Sequence, residues 1–323
     1  MSRPSLLITR RLPASVLERL RSRYEVTVNP DDRPLGREAL LMALRSFDAL
    51  SPTITDKLDA ALLLNSGLRT RIIANFGAGF EHIDLEAAKQ AQLVVTNTPD
   101  ALTDATAELT ILLILMTCRR AGEGERLLRE GKWAGWAPTQ LLGMDVKGKT
   151  LGLIGFGRIA KEAARRARGA LGMRIAYYSR SRASAEEENA LGAEHHATLE
   201  SLLAESDVVS LHCPGGAATR HLINQNALAR MKPTAVLINT ARGSVVDEEA
   251  LANALAQRQI AAAGLDVYER EPAVSPALRE LENAVLLPHL GSATLEARTS
   301  MGMQMADNLD SFFDGRTPPN RVA

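Results

Sequence analysis

Cysteine is almost absent from this chain: there are two among 323 residues, Cys118 and Cys213, and neither lies in a C-x-x-C pair. That excludes a disulfide framework, offers no metal-ligand spacing, and fits a reducing, cytoplasmic setting. Net charge is absent too, since 38 basic side chains balance 38 acidic ones. Without a basic footprint, general nucleic-acid binding is excluded, although one small basic pocket is not. Long apolar runs are missing. The strongest, "LTILLILMTC" at 109–118, is about half of the roughly 20 residues that span a bilayer. The start, "MSRPSLLITRRLP", has only three apolar residues in a row before Arg10, too few for a signal peptide. No membrane partner is expected, and the 109–118 run reads as a helix buried on nearly all sides. Internal repeats and low-complexity segments are also missing.

What is present is a large supply of core. Hydrophobic residues make up 46% of the chain, and the length suits about two domains of roughly 100–200 residues. Short apolar strands alternate with helical patterns throughout, the α/β signature. A first series has strands at 6–9, 25–28, 48–51, 71–76 and 93–97. After Pro99 one long helix follows, which Thr103 or Asp104 can cap and which closes with "CRRAGEGE". A second series has strands at 149–157, 174–179, 208–213, 235–240, 260–267 and 284–288 before a last helix at 293–313. The chain is expected to cross between two domains near 100 and 290. One then comprises 1–100 with 290–323, and the other 101–289.

"LGLIGFGRIA" sets Gly155, Gly157 and Ala160 in the G-x-G-x-x-G/A spacing between a strand and a helical run, the context that motif requires. Gly155 permits the tight turn, Gly157 lets N–H groups approach a pyrophosphate, and Ala160 allows close helix–strand packing. The helix start, Arg158 and Ile159, would face the anion. An NAD-type loop is normally answered about 20 residues later by an Asp or Glu that holds the ribose 2′-OH. Here "AYYSRSR" at 176–182 has Ser179 in that place, then Arg180 and Arg182. Losing the carboxylate removes repulsion of a 2′-phosphate, and an arginine supplies a bidentate partner. NADP(H) is expected as the preferred cofactor, with NAD(H) as the alternative. Arg180 is the stronger candidate because it directly follows the vacated acid position.

Three further stretches end strands with polar residues. "NTARGSVVDEEAL" brings Arg242, "GLDVYEREP" brings Asp266 and Glu271, and "LLPHLGSAT" brings His289. Ligands of open α/β sheets bind outside the carboxyl ends of strands. An arginine there can hold a carboxylate and polarise the adjacent carbonyl. A histidine can donate the proton that accompanies hydride addition, and a partner carboxylate favours its imidazolium form. Arg242 could alternatively form a strand-end salt bridge to Asp247.

With these motifs in this order, the chain resembles the D-isomer-specific 2-hydroxyacid dehydrogenases over nearly its whole length. The resemblance implies an α/β protein of two Rossmann-like or flavodoxin-like domains, with doubly wound parallel sheets and an active site in the interdomain cleft. The first domain would bind substrate and the second the dinucleotide. It implies Arg242 for substrate binding and polarisation, His289 as acid/base and Glu271 as its partner. Asp266 would accept a bond from the nicotinamide carboxamide. In "NFGAGFEHID" the backbone at Ala78 and Gly79 would hold the substrate carboxylate. Thr106, Cys213, Thr240, Ala241, His289 and Gly291 complete the implied cofactor contacts, and no metal is implied. Ala160 in place of the last glycine and one extra residue in "RRARGALGM" are the small departures.

Within the family, "PDALTDATAELTILLILMTCRR" and "GKWAGWAPTQLLG" are similar to the long helix and following loop of glyoxylate/hydroxypyruvate reductases. This implies NADPH-dependent reduction of glyoxylate or hydroxypyruvate to glycolate or D-glycerate. It also implies a homodimer through 104–140, with Trp133 or Trp136 reaching toward the partner's active site. Glu271 argues against the family's formate dehydrogenases, which carry Gln there. A chain stopping at Ala323 leaves no room for the regulatory domain of many phosphoglycerate dehydrogenases. Two alternatives stand beside this reading: a reductase for a bulkier 2-keto acid, and a non-catalytic nucleotide-sensing protein on the same fold.

Overall fold

Apolar runs that alternate with helices build two parallel sheets. The computed structural model describes residues 3–323 and divides into two units, residues 3–102 with Ser292–Ala323 and residues Thr103–Gly291. In the first unit the order is β1 (Ser5–Ile8), α1 (Ala14–Arg21), β2 (Glu25–Val28), α2 (Arg37–Ser46), β3 (Ala49–Ser51), α3 (Ala60–Leu63), β4 (Ile72–Ala74), α4 (Leu85–Gln90) and β5 (Val94–Thr96). The strands are all parallel in the order β2-β1-β3-β4-β5, a doubly wound arrangement of the flavodoxin kind. β1, β3 and β4 are covered on both faces, which is why they read as unbroken apolar runs rather than alternating ones.

The second unit begins with α5 (Thr103–Cys118) and α6 (Ala121–Arg129). β6 (Thr150–Ile154), α7 (Arg158–Leu171), β7 (Arg174–Tyr178), α8 (Ala185–Leu191), β8 (Ala193–His195), α9 (Leu199–Glu205) and β9 (Val208–Leu211) follow. The unit continues through α10 (Gln225–Leu228), β10 (Val236–Asn239), α11 (Glu248–Ala256), β11 (Ala262–Leu265), α12 (Pro276–Arg279) and β12 (Ala284–Leu286). Its seven strands are parallel in the order β12-β11-β10-β9-β6-β7-β8. Chain direction along the sheet reverses between β6 and β9, the switch point where such folds bind ligands. β8 has no counterpart among the expected strands. Three residues, Ala-Glu-His, at a sheet edge carry almost no apolar pattern to read.

The last helix, α13 (Leu295–Phe313), packs in the first unit, where Met305, Ala306 and Leu309 join Leu6, Ile8, Val16 and Ile72 in one core cluster. The chain then returns along β5. Arg321 pairs with Thr96 in antiparallel sense, and Val95 exchanges backbone bonds with Val322 (2.8 Å) and Ala323 (3.1 Å).

Three expectations about the long helix are corrected. It is not continuous: Arg120 takes a left-handed conformation (φ 53°) that ends one helix and opens the next. The two glycines of "AGEGE" weaken helix propagation there, and the Arg120 guanidinium turns to Glu123 at 2.7 Å. Nor is it buried on nearly all sides, because Asp104, Glu108 and Leu112 form an exposed i, i+4 stripe. Leu112 is 48% exposed. Thr103 and Asp104 are the first helical residues rather than its cap, and Asp104 pairs with Arg166 (2.9 Å). No helix among the described residues is long and apolar enough to cross a membrane.

Candidate active site

β6 delivers the chain to Gly155 at the switch point. Gly155 has φ 87°, and a Cβ there would stand 2.8 Å from both the Cys213 nitrogen and the His212 carbonyl carbon after β9. Only glycine allows that close passage. Gly157 caps α7 without a side-chain bond to its first amides, and a Cβ on it would meet nothing within 4 Å. The N-terminus of α7, with Arg158 and Ile159 as its first residues, has no side-chain cap, the setting in which helix starts bind anions, and buried Ala160 packs the helix down. Cys213 is buried and its thiol is pushed up to about 11 by burial, so it is an inert wall. His212 beside it is driven down to about 4 by burial and stays neutral. An open, uncapped helix start behind a glycine turn fits a dinucleotide pyrophosphate.

At the end of β7 the two arginines part company. Arg182 donates to both oxygens of Glu188 (2.9 and 2.8 Å). Arg182 and then the Tyr177 hydroxyl hold the Glu188 carboxyl down at about 2, so this pair persists at every ordinary pH. Arg180 is exposed and makes no ion pair among the described residues. The Ser179 hydroxyl donates to the Ser181 carbonyl and folds the turn.

The other half of the sheet edge carries the titratable groups. Asn239 ends β10 and shapes the next turn: its amide donates to the Arg242 carbonyl (2.9 Å) and accepts from Ala241 N (3.0 Å). Thr240 is held to Thr110 of α5 (3.0 Å). Gly243 then passes so close to the next loop that a Cβ would stand 1.8 Å from the Tyr268 carbonyl carbon, which locks the Arg242 turn to the loop bearing Glu271. Asp247 caps α11 by accepting from Ala250 N (3.0 Å).

Glu271 and His289 meet. His289 Nδ1 lies 2.8 Å from Glu271 Oε2, with the two side chains 34% and 33% exposed. The other Glu271 oxygen accepts from Tyr268 N (3.0 Å). Burial pushes the Glu271 carboxyl up, but the His289 hydrogen bond and charge outweigh it and hold it below the ordinary range. The carboxylate is thus ionised and fixes the proton on Nδ1, leaving Nε2 for chemistry. His289 has φ 55°, a sparsely populated state for a side-chain-bearing residue. Asp266 imposes it by gripping three successive amides. Its carbonyl accepts from His289 N (2.9 Å), and its carboxylate from Leu290 N (2.6 Å) and Gly291 N (2.8 Å). Thr106 secures the Gly291 carbonyl at 3.0 Å. Asp266 is 1% exposed. Burial pushes its carboxyl up against those amides, which favour the charged form. Here Asp266 is the foundation of the histidine turn, a role the sequence reading did not include.

In the first unit the turn after β4 carries Ala78 and Gly79, both half-buried. Asn75 and Asn97, which sequence reasoning passed over, donate into it: Asn75 to the Gly77 (3.1 Å) and Gly79 (2.9 Å) carbonyls, Asn97 to the Ala78 carbonyl (2.8 Å). The only signal available was an asparagine immediately after each apolar strand. Between α5 and β6, Leu128, Trp133, Trp136 and Leu142 are all exposed, Trp136 by 83%.

Known proteins are similar to this chain over nearly all of its length. The family described as D-isomer specific 2-hydroxyacid dehydrogenase, NAD binding domain, matches residues 111–291. Glyoxylate reductase of Thermococcus kodakarensis is 47% identical over 99% of this chain and 96% of its own length. Among solved structures, the chain is similar to the NADPH-dependent glyoxylate/hydroxypyruvate reductase of Sinorhizobium meliloti, crystallised with NADP and malonate. That match has a TM-score of 0.87 and 36% identity, covering 100% of this chain and 97% of that one. It is also similar to D-mandelate dehydrogenase of Rhodotorula graminis, with a TM-score of 0.87 and 31% identity over 100% and 98% of the two chains.

Proposed function

The chain belongs to the D-isomer specific 2-hydroxyacid dehydrogenases, NAD(P)-dependent oxidoreductases, and as such we propose that it reduces glyoxylate and hydroxypyruvate to glycolate and D-glycerate with NADPH. The observation that carries this reading is the His289–Glu271 pair at 2.8 Å, on the same sheet edge as Arg242 and the phosphate turn. The bound nicotinamide supplies the hydride. Arg242 holds the substrate and draws electron density from its carbonyl oxygen. His289 gives the proton from Nε2 to that oxygen as C2 is reduced, and Glu271 stabilises the imidazolium before the transfer. The Ala78 and Gly79 amides receive the substrate carboxylate. Asp266 keeps the turn of His289 fixed and has lone pairs left for a carboxamide.

NADPH is favoured over NADH by what surrounds the ribose position: Ser179 where an acid would repel a phosphate, and Arg180 with no carboxylate partner among the described residues. The exposed Leu112, Leu128, Trp133 and Trp136 suit a homodimer through 104–140, and two buried free thiols suit the cytoplasm. Steady-state kinetics on glyoxylate, hydroxypyruvate, pyruvate and phenylpyruvate with each cofactor test the reading. Glyoxylate and hydroxypyruvate with NADPH should show the highest kcat/KM. The likeness to D-mandelate dehydrogenase supports one second reading, a bulkier 2-keto acid, and phenylpyruvate leading the panel would establish it.

A further inference from the structure

We propose that Asn75 and Asn97 are positioning residues that convert the 77–80 backbone into a receptor for a carboxylate. The proposal rests on the reading of the substrate as a 2-keto acid and names what in this chain selects its anionic end. A trans peptide is planar, with its N–H and C=O on opposite sides. The Gly77 carbonyl accepts from Asn75 Nδ2 (3.1 Å) and from Thr98 N (3.0 Å). The Ala78 carbonyl accepts from Asn97 Nδ2 (2.8 Å), and the Gly79 carbonyl from Asn75 Nδ2 (2.9 Å). Three consecutive carbonyls are therefore drawn to one side. The N–H groups of Ala78, Gly79 and Phe80 face the other way, and none donates to an acceptor among the described residues. Successive outward N–H groups make an anion-binding concavity.

The clamp is itself held. Asn75 is 0% exposed and Asn97 7%. Both amide hydrogens of Asn75 are spent on the loop, and its oxygen lies 3.1 Å from His82 Nε2, so that nitrogen must be the donor. Asn308 of α13 donates to the Asn97 carbonyl (3.1 Å) and accepts from Asn320 N (3.1 Å). The receptor is thus built from neutral dipoles whose direction two asparagines set.

Asn97→Ala removes the donor under Ala78, and Asn97→Asp keeps its volume while placing an acceptor there. Each should raise the KM for a 2-keto acid on the order of ten- to a hundredfold, the scale of a lost hydrogen bond to a charged group. kcat and NADPH affinity should stay near native values, while Tm falls in both variants because the buried Ala78 carbonyl loses its donor. Calorimetric binding of malonate to the cofactor complex should weaken by the same factor in both variants. The Asn97→Asp defect should shrink as pH falls into the carboxyl range, where a protonated oxygen becomes a donor again. Native KM and native malonate affinity in either folded variant would overturn the proposal, as would a loss of kcat and NADPH affinity in parallel with that of malonate binding. A native enzyme that binds malonate but turns over no 2-keto acid would sink the proposed reaction, not the clamp.

Discussion

At the carboxyl edge of the five-stranded sheet, the turn after β4 offers a ligand backbone amides. At the same edge of the seven-stranded sheet, the turns after β10, β11 and β12 offer an arginine, a carboxylate and an imidazole. Both edges are organised by buried polar side chains beneath them, Asn75 and Asn97 in one unit, Asn239 and Asp266 in the other. The first must keep a shape, because a dipole has no protonation state to lose. The second must keep both a shape and a charge pattern. One edge is therefore suited to recognition that is indifferent to pH, the other to chemistry that depends on it.

Substitutions separate the two kinds of site. The largest effect should come from His289→Ala, with kcat falling by roughly 10²–10⁴ and NADPH affinity retained by fluorescence titration; an unchanged kcat would remove His289 from the reaction. Glu271→Gln should cost less in kcat, because the imidazole loses the carboxylate that fixes its Nδ1 proton at 2.8 Å. An unchanged kcat would remove Glu271 from the reaction. The same pair has a signature in stability. The Glu271 carboxyl is held below its ordinary 4.5, so its contribution is full above that value and disappears as pH falls through the lower folded one. Acid melts of native protein and Glu271→Gln should converge at low pH and diverge above it.

Arg242→Lys follows, with KM for the keto acid rising roughly tenfold or more, because a planar fork becomes a point charge. Smaller again, Arg180→Ala should lower kcat/KM for NADPH by roughly ten- to a hundredfold and leave NADH unaffected, whereas Arg182→Ala, whose cation is spent on Glu188, should change the cofactor ratio little. Equal losses at both positions would assign the phosphate to both arginines. The smallest effect on the monomer belongs to Trp136→Ala, within about 0.5 kcal/mol for an exposed side chain, with weakened self-association in sedimentation as its measurable consequence.

Much of this was legible beforehand because it is written in local pattern. Apolar runs buried on both faces announce parallel strands, and the glycine spacing at 155–160 announces the turn. Arg242, Glu271 and His289 each follow a strand directly. The unread parts depend on three-dimensional company. Nothing in "YYSRSR" tells that Arg182 is spent on Glu188 six residues later. The grip of Asp266 on residues 289–291 was hidden because it spans a β-strand and a long loop. The break at Arg120 is marked only by the glycines that follow it, since a single left-handed residue has no periodicity. Asn75 and Asn97 act on carbonyls, and a sequence does not show which way a peptide group faces.

The strand formed by Thr96 and its neighbours lies at the end of its sheet, and such a border is an open template for another chain. Residues 321–323 run against it in the opposite direction and occupy part of that template. Any change that peels this short segment away would bare Val95 and its unpaired backbone, and aggregation should appear before activity is lost. Residues 321–323 thus cover part of this border, and Asn320 beside them accepts from the Asn97 backbone N–H at 3.1 Å.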